Sequence, residues 1–185
     1  MTYYGAKELS DSFLTVRRNT ITIAEEIPED KYDFRPTPES RSIAQTLIHI
    51  ANGGKLQEQI HGVLKLKTLD GFDFPGFFLP MQAEEQKPRT KLELLTILNE
   101  QGDHFGRWLA SLPEDFLGER VSMPPGAAPQ SKSRFEMILG VKEHEMHHRA
   151  QLMMMQRMLG IVPHLTRQMN ERIAAMMAAH QKASA

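Results

Sequence analysis

The chain has 185 residues, of which 41% are hydrophobic and 24% charged, a balance typical of a folded globular protein rather than a disordered one. Its net charge is −1 and no basic stripe runs along it, so we expect no nucleic-acid binding. Cysteine is absent, which excludes disulfides and leaves histidine and carboxylate as the available metal ligands. Without a bilayer-spanning stretch or a signal-peptide pattern, we expect no membrane association, a cytoplasmic location and one domain over residues 1–185.

Hydrophobic residues recur at helical spacing in five segments and predict four long amphipathic helices followed by a shorter terminal one. The predicted helices cover residues 5–27, 42–66, 91–112, 133–160 and 164–181. Pro28 ends the first helix and Pro113 the third, whereas Gly53-Gly54 is an unfavourable pair inside the second. Close packing against a neighbouring helix, or space left beside a site, would each explain these two glycines.

Two long connections separate the predicted helices. Residues 70–90 are rich in Phe, Pro and Gly, and residues 113–132 contain Pro124-Pro125-Gly126, so both are expected to be irregular. Connections of this length inside a compact domain tend to be crossovers or functional lids. With little strand pattern elsewhere, the sequence predicts an all-α four-helix bundle in which some neighbouring helices run parallel.

The fourth predicted helix carries His144 and His148, whose four-residue spacing places both imidazoles on one face. At roughly 100° per residue both lie inside the apolar stripe, whereas His147 lies nearer its flank. His49 has an equivalent position on the second helix. Three buried imidazoles need partners, and one metal ion could satisfy all three. The pattern is compatible with such a metal site, and equally with hydrogen-bonded core histidines.

Other side chains near these histidines are weaker candidates. Gln151 lies one turn beyond the pair, roughly 20° from the direction of His144, and could bind a water or substrate or simply pack between helices. Glu145 is expected to point away from the site, and Arg149 to form a surface salt bridge. The consecutive methionines 153–155 diverge around the helix, so they are expected to fill core and interface rather than ligate one ion.

Several segments together resemble the DinB/YfiT-like family of metal-dependent proteins. They are Ile27–Asp30, Arg35–Ser42, Leu47–Ile50, His144–Leu152 and Leu159–Pro163. The resemblance implies a four-helix bundle with up-down-down-up topology, here followed by the short extra C-terminal helix. It also implies a homodimer and a divalent metal ion, nickel or zinc, held by His49, His144 and His148.

The resemblance implies a function only in outline. Characterised members of the family include enzymes that use low-molecular-weight thiols, so a thiol S-transferase-like reaction on a small molecule, with a thiol cosubstrate, is one expectation. A hydrolase-like reaction is the other, because a metal ion with an open position can activate water. The alternative is a non-catalytic metal-binding or dimerisation bundle, which requires a fourth protein ligand and no cleft at the ion. Three imidazoles accept several divalent ions, so they do not select one.

Overall fold

The computed structural model describes residues 4–184, most of which are helical. In chain order the helices are α1 (Ala6–Glu26), α2 (Ile43–Asn52), α3 (Lys55–Gln57), α4 (Phe74–Glu85), α5 (Lys91–Ala110), α6 (Glu114–Gly118), α7 (Arg134–Met158) and α8 (His164–Ala183). A 3₁₀ turn covers Glu29–Lys31 and a π-helical segment covers Glu58–Val63. Two short strands, β1 (Arg120–Ser122) and β2 (Ser131–Ser133), pair antiparallel. The predicted all-α class is confirmed.

Four helices enclose the main hydrophobic core. Helix α1 packs against α5 and α7, and α2 packs against the same two helices, so the four form a closed ring. Each contributes a fully buried aliphatic side chain to one cluster, namely Ile23, Leu47, Leu98 and Leu152. Burial of such side chains stabilises the fold by about 1.5–3 kcal/mol each. The up-down-down-up order of helix directions stays a prediction.

The starts of the long helices follow from local hydrogen bonding. In α2 the Ser42 hydroxyl accepts from the Gln45 backbone N–H, while the Gln45 side chain accepts from the Ser42 backbone N–H. Ser133 and Glu136 form the same reciprocal pair at the start of α7. Each pair satisfies two backbone donors that the first helical turn leaves free. The start of α7 thereby also fixes where its histidines lie.

The second predicted helix, 42–66, is interrupted at Gly53-Gly54, as the glycine pair suggested. Regular α2 ends at Asn52, and the chain then continues through α3 into the π-helical segment. A Cβ atom at Gly54 would lie 2.6 Å from Cδ2 of Phe105, so glycine permits the close approach of α5. A Cβ atom at Gly53 would lie 3.4 Å from Nδ1 of His144. Close packing therefore explains Gly54, whereas a Cβ atom at Gly53 would make only ordinary contact with His144, so the second explanation stays a prediction.

The prediction that both long connections are irregular was wrong in part. Residues 70–90 contain α4, which begins where the Asp73 carboxylate accepts from the Gly76 backbone N–H and Pro75 occupies the first turn. Its four aromatic and leucine side chains surround the helix instead of forming one stripe, so periodicity did not reveal it. Residues 113–132 contain α6 and strand β1, whose Val121 is fully buried.

Helix α8 extends to Ala183, slightly beyond the predicted end at residue 181. His164 is its only buried residue within the described part of the chain. Four large hydrophobic side chains on α8 are exposed, namely Met169, Ile173, Met176 and Met177. Within residues 4–184, no helix combines the length and the hydropathy needed to cross a bilayer.

Candidate metal centre

The three predicted histidines lie together where α2 packs against α7. Nε2 of His49 is 3.0 Å from Nε2 of His144, and Nε2 of His148 is 3.1 Å from the same atom. One nitrogen from each ring falls within 4.8 Å of the others. His148 is buried, and the other two rings are half-buried. The expectation that these side chains point inward from two helices is therefore met by the geometry.

Two of the rings are held from behind by oxygen atoms. Nδ1 of His49 is 2.6 Å from Oε1 of Glu85, and Nδ1 of His148 is 2.8 Å from Oε1 of Gln151. An oxygen acceptor at Nδ1 favours the tautomer in which Nδ1 carries the proton. In both rings Nε2 then presents a lone pair to the centre of the cluster.

This arrangement leaves an electrostatic conflict that a cation resolves. Nε2 of His144 is close to both other Nε2 atoms, but a neutral ring can donate only one hydrogen bond from that atom. At least one of the two contacts is therefore left without a hydrogen bond. Burial lowers the pKa of His144 to about 4, helped by its histidine neighbours, and burial also lowers the pKa of His148. Both of these rings therefore take up a proton less readily than a free imidazole.

The donor set and its dimensions fit a divalent ion. Metal–nitrogen bonds of about 2.0–2.1 Å place two adjacent imidazole nitrogens roughly 2.8–3.4 Å apart, the lower end for an octahedral and the upper end for a tetrahedral shell. The two short separations, 3.0 and 3.1 Å, lie in that range. Among residues 4–184, no fourth histidine or carboxylate joins the group. The three residues could hold an ion and leave part of its coordination shell open.

Glu85 is the residue that the sequence did not reveal. It is 7% exposed, and its second oxygen accepts a hydrogen bond from Nε of Arg41 at 2.8 Å. The carboxylate therefore joins Arg41 to His49 at the edge of the cluster. It comes from α4, in the connection expected to be irregular, and lies 36 residues from His49. Only the helix start at Asp73-Phe74-Pro75 gave a local indication that this segment was ordered.

Two clefts reach the histidine cluster. The larger, about 710 Å³, is lined by His148 and Gln151. The smaller, about 340 Å³, is lined by His49 and His144 and otherwise largely by apolar side chains. Arg41, Gln82 and Glu85 line both clefts, so the cluster lies between them. Volumes of a few hundred Å³ are typical of small-molecule sites.

The structure places Gln151 directly behind a ligand histidine. Its side-chain oxygen bonds to His148, and its nitrogen is 3.1 Å from Nε2 of His147. It is exposed in the larger cleft rather than packed between helices. Its geometry supports a role in orienting His148, while direct contact with a substrate stays a prediction. His147 itself is exposed and lies outside the cluster, as the helical angle indicated.

The remaining candidates have structural surroundings. Glu145 points away from the site, as expected, and forms a buried ion pair with Arg17. The expectation that Arg149 forms a surface salt bridge was wrong, because its Nε atom is buried and has no hydrogen-bond partner within residues 4–184. Met154 is exposed whereas Met155 is buried, so the methionines do diverge around the helix.

Comparison with known proteins identifies the family. The model of the DinB superfamily matches residues 12–152, well over half of the chain. The chain belongs to the DinB superfamily. The crystal structure of YjoA, a DinB-like protein from Bacillus subtilis, is similar to this DinB-superfamily chain, with a TM-score of 0.60 and 20% sequence identity. The match covers 83% of this chain and 92% of that one, and at this identity it shows the fold alone. No curated protein matches the sequence significantly.

Proposed function

We propose that this member of the DinB superfamily binds a divalent metal ion through His49, His144 and His148 and catalyses a reaction on a small molecule. The observation that carries the proposal is the convergence of three Nε2 atoms, two of them in rings whose Nδ1 faces an oxygen acceptor. That arrangement suits a cation, which could bind to all three nitrogens at once. Nickel and zinc are the proposed ions because imidazole suits both.

A catalytic site is favoured over a closed structural one. Structural zinc sites have four protein ligands, whereas catalytic sites keep an open position that a cleft can reach. Here the cluster has three members within residues 4–184, and two clefts meet at it. When bound, the ion would lower the pKa of a thiol or a water molecule beside it, which suits a thiol S-transferase-like or a hydrolase-like reaction.

The chain's own residues would orient the ligands and shape the site. Glu85 holds the proton of His49 on Nδ1, and Gln151 does the same for His148. Such partners fix the ring orientation and make the ligating nitrogen more basic. Met155 and Met158 line the larger cleft and Phe78 the smaller, so apolar surface lies close to the polar cluster. A substrate with an apolar part would displace water from both walls.

The first experiment is elemental analysis of the purified protein and of two matched alanine variants. We expect about one ion per chain in the natural protein, as in other mononuclear histidine sites. His148→Ala should lose the ion with its helical circular dichroism largely unchanged. His147→Ala removes the neighbouring exposed histidine and should retain the ion. Full occupancy in His148→Ala would disprove the ligand assignment.

The second experiment addresses catalysis. The metal-loaded protein is incubated with thiol acceptors in the presence of each of several low-molecular-weight thiols, and separately with hydrolysable esters and amides. We expect turnover that disappears on chelation, returns on adding the ion, and is lost in His148→Ala but kept in His147→Ala. Tight metal binding with no turnover across these reactions would favour the non-catalytic alternative.

A homodimer also belongs to the proposal. The apolar side chains exposed on α8, Met169, Ile173, Met176 and Met177, support a partner surface, because monomers rarely expose such a contiguous apolar face. Light scattering should give twice the mass of the chain, and a monomeric mass across the micromolar range would contradict the dimer.

A further inference from the structure

Arg41 stands where the two clefts meet. Its side chain is 40% exposed, and its Nε atom donates to Glu85, which fixes the orientation of the guanidinium plane. Within residues 4–184, neither of its two terminal nitrogens has a hydrogen-bond partner. A guanidinium held through Nε keeps both terminal nitrogens available as a planar fork, the geometry that pairs with a carboxylate.

Arg41 lies close to the histidine cluster. It shares the Glu85 carboxylate with His49, each side chain bonding to a different oxygen. It also lines both clefts, together with His148 in the larger and with His49 and His144 in the smaller. An anionic group bound at Arg41 would therefore lie beside the cluster.

Arg35 supplies a second cation to the larger cleft. Its Nη1 atom donates to the backbone oxygen of Ser40 at 2.7 Å, which anchors the side chain on the loop before α2. Glu39 also lines this cleft, while both oxygens of Glu85 are already engaged by His49 and Arg41. Met154, Met155 and Met158 supply apolar lining in the same cleft. The cleft thus combines two arginines with three methionines, and His148 is also part of its lining.

We propose that the larger cleft selects a carboxylate-bearing small molecule, whose acidic group binds Arg41 and Arg35 and whose apolar part contacts the methionines. The reactive end of that molecule then faces the histidine cluster. This inference rests on the proposed function in one respect, namely that the end of the molecule facing the histidine cluster is the end that reacts. The recognition of the carboxylate depends on the two arginines.

The test compares two probes that differ in one charge, 3-mercaptopropionate and its methyl ester, by calorimetric titration into the metal-loaded protein. We expect the acid to bind about tenfold more tightly, because charge-assisted hydrogen bonds to a guanidinium add on the order of a factor of ten or more. Arg35→Gln should remove most of this preference and leave the metal content unchanged. Arg18→Gln, which removes an exposed cation of α1 outside both clefts, should keep the preference.

Arg41→Gln should also remove the preference, and because it frees Glu85 it should weaken metal binding as well. Equal affinity for acid and ester in the natural protein would overturn the inference. A preference that survives in both arginine variants would overturn it too, because the carboxylate would then bind the ion itself. Metal content is measured in every sample. In the natural protein, equal affinity for acid and ester with the ion retained counts against this inference alone, and a preference for the acid in protein that holds no ion counts against the metal proposal alone.

Discussion

The buried ion pair between Arg17 and Glu145 should be one of the places in the bundle where removing a single charge is most destabilising. Arg17 is 3% and Glu145 1% exposed. Nε of the arginine lies 3.0 and 3.1 Å from the two carboxylate oxygens, and Nη2 lies 2.9 Å from one of them. The same guanidinium donates to the backbone oxygens of Leu98 and Ile50. One side chain of α1 therefore bonds to α7, α5 and α2 at once.

We predict that Arg17→Met lowers the free energy of unfolding by about 3–5 kcal/mol, because it leaves the Glu145 carboxylate buried without its partner. For a chain of this length the midpoint of thermal unfolding should fall by roughly 10 °C or more. The double variant Arg17→Met/Glu145→Leu should recover much of the loss, since replacing both charges removes the uncompensated one. Lys7→Met, in the exposed pair with Asp11, should change stability by less than about 1 kcal/mol.

The assay is urea denaturation of the metal-free protein followed by circular dichroism, with the slope compared between variants to check that the unfolded states are equivalent. A loss below about 1 kcal/mol in Arg17→Met would show that the pair is not desolvated as its burial indicates. If the double variant is no more stable than the single one, the lost free energy of unfolding comes from packing, because the apolar stem of arginine also fills space. Either result would refute the electrostatic reasoning.

Three further predictions concern the site, pH and packing. Glu85→Gln should weaken metal binding about 10- to 100-fold, the loss typical when the hydrogen-bond partner of a ligand histidine is removed. The control Glu84→Gln should leave the affinity unchanged. Competition with a chromophoric chelator measures both affinities. Burial beside Arg134 lowers the pKa of His61 to about 4, so the unfolded chain binds its proton more readily. The metal-free protein should therefore lose stability as pH falls from about 6.5 to about 4, and His61→Asn should flatten that dependence in denaturation measured across pH. Gly54→Ala should cost about 1–3 kcal/mol in urea denaturation through overpacking, whereas Gly118→Ala, which meets no atom within 4 Å, should cost nothing.

The features that could be predicted from the sequence depend on residues that lie close together in the chain. The spacing of His144 and His148 is a property of one helix, and the stripe that contains them is visible in the residues around them. The long helices α1, α5 and α7 were predictable for the same reason, because apolar residues recur on one side of each. Ser133 and Glu136 likewise mark the start of α7 three residues apart.

What the sequence could not show depends on contacts between distant segments. Glu85 meets His49 across 36 residues, and Arg17 meets Glu145 across 128. No local pattern distinguishes Glu85 from Glu84, its exposed neighbour in α4. Helix α4 was itself hidden because its apolar residues are distributed around it and Pro80 lies within it. The partners of the histidines therefore had to come from the structure.

The ion pair and the histidine cluster occupy adjacent positions on the same two helices. Ile50, whose carbonyl accepts from Arg17, follows His49, and Glu145 follows His144. On α7, successive side chains point about 100° apart, so Glu145 faces Arg17 while His144 faces the cluster. On α2, the guanidinium bonds the backbone carbonyl of the residue after His49. The guanidinium thus links α2 to α7 at the level where their histidines meet, and the site and the core are parts of one packing arrangement.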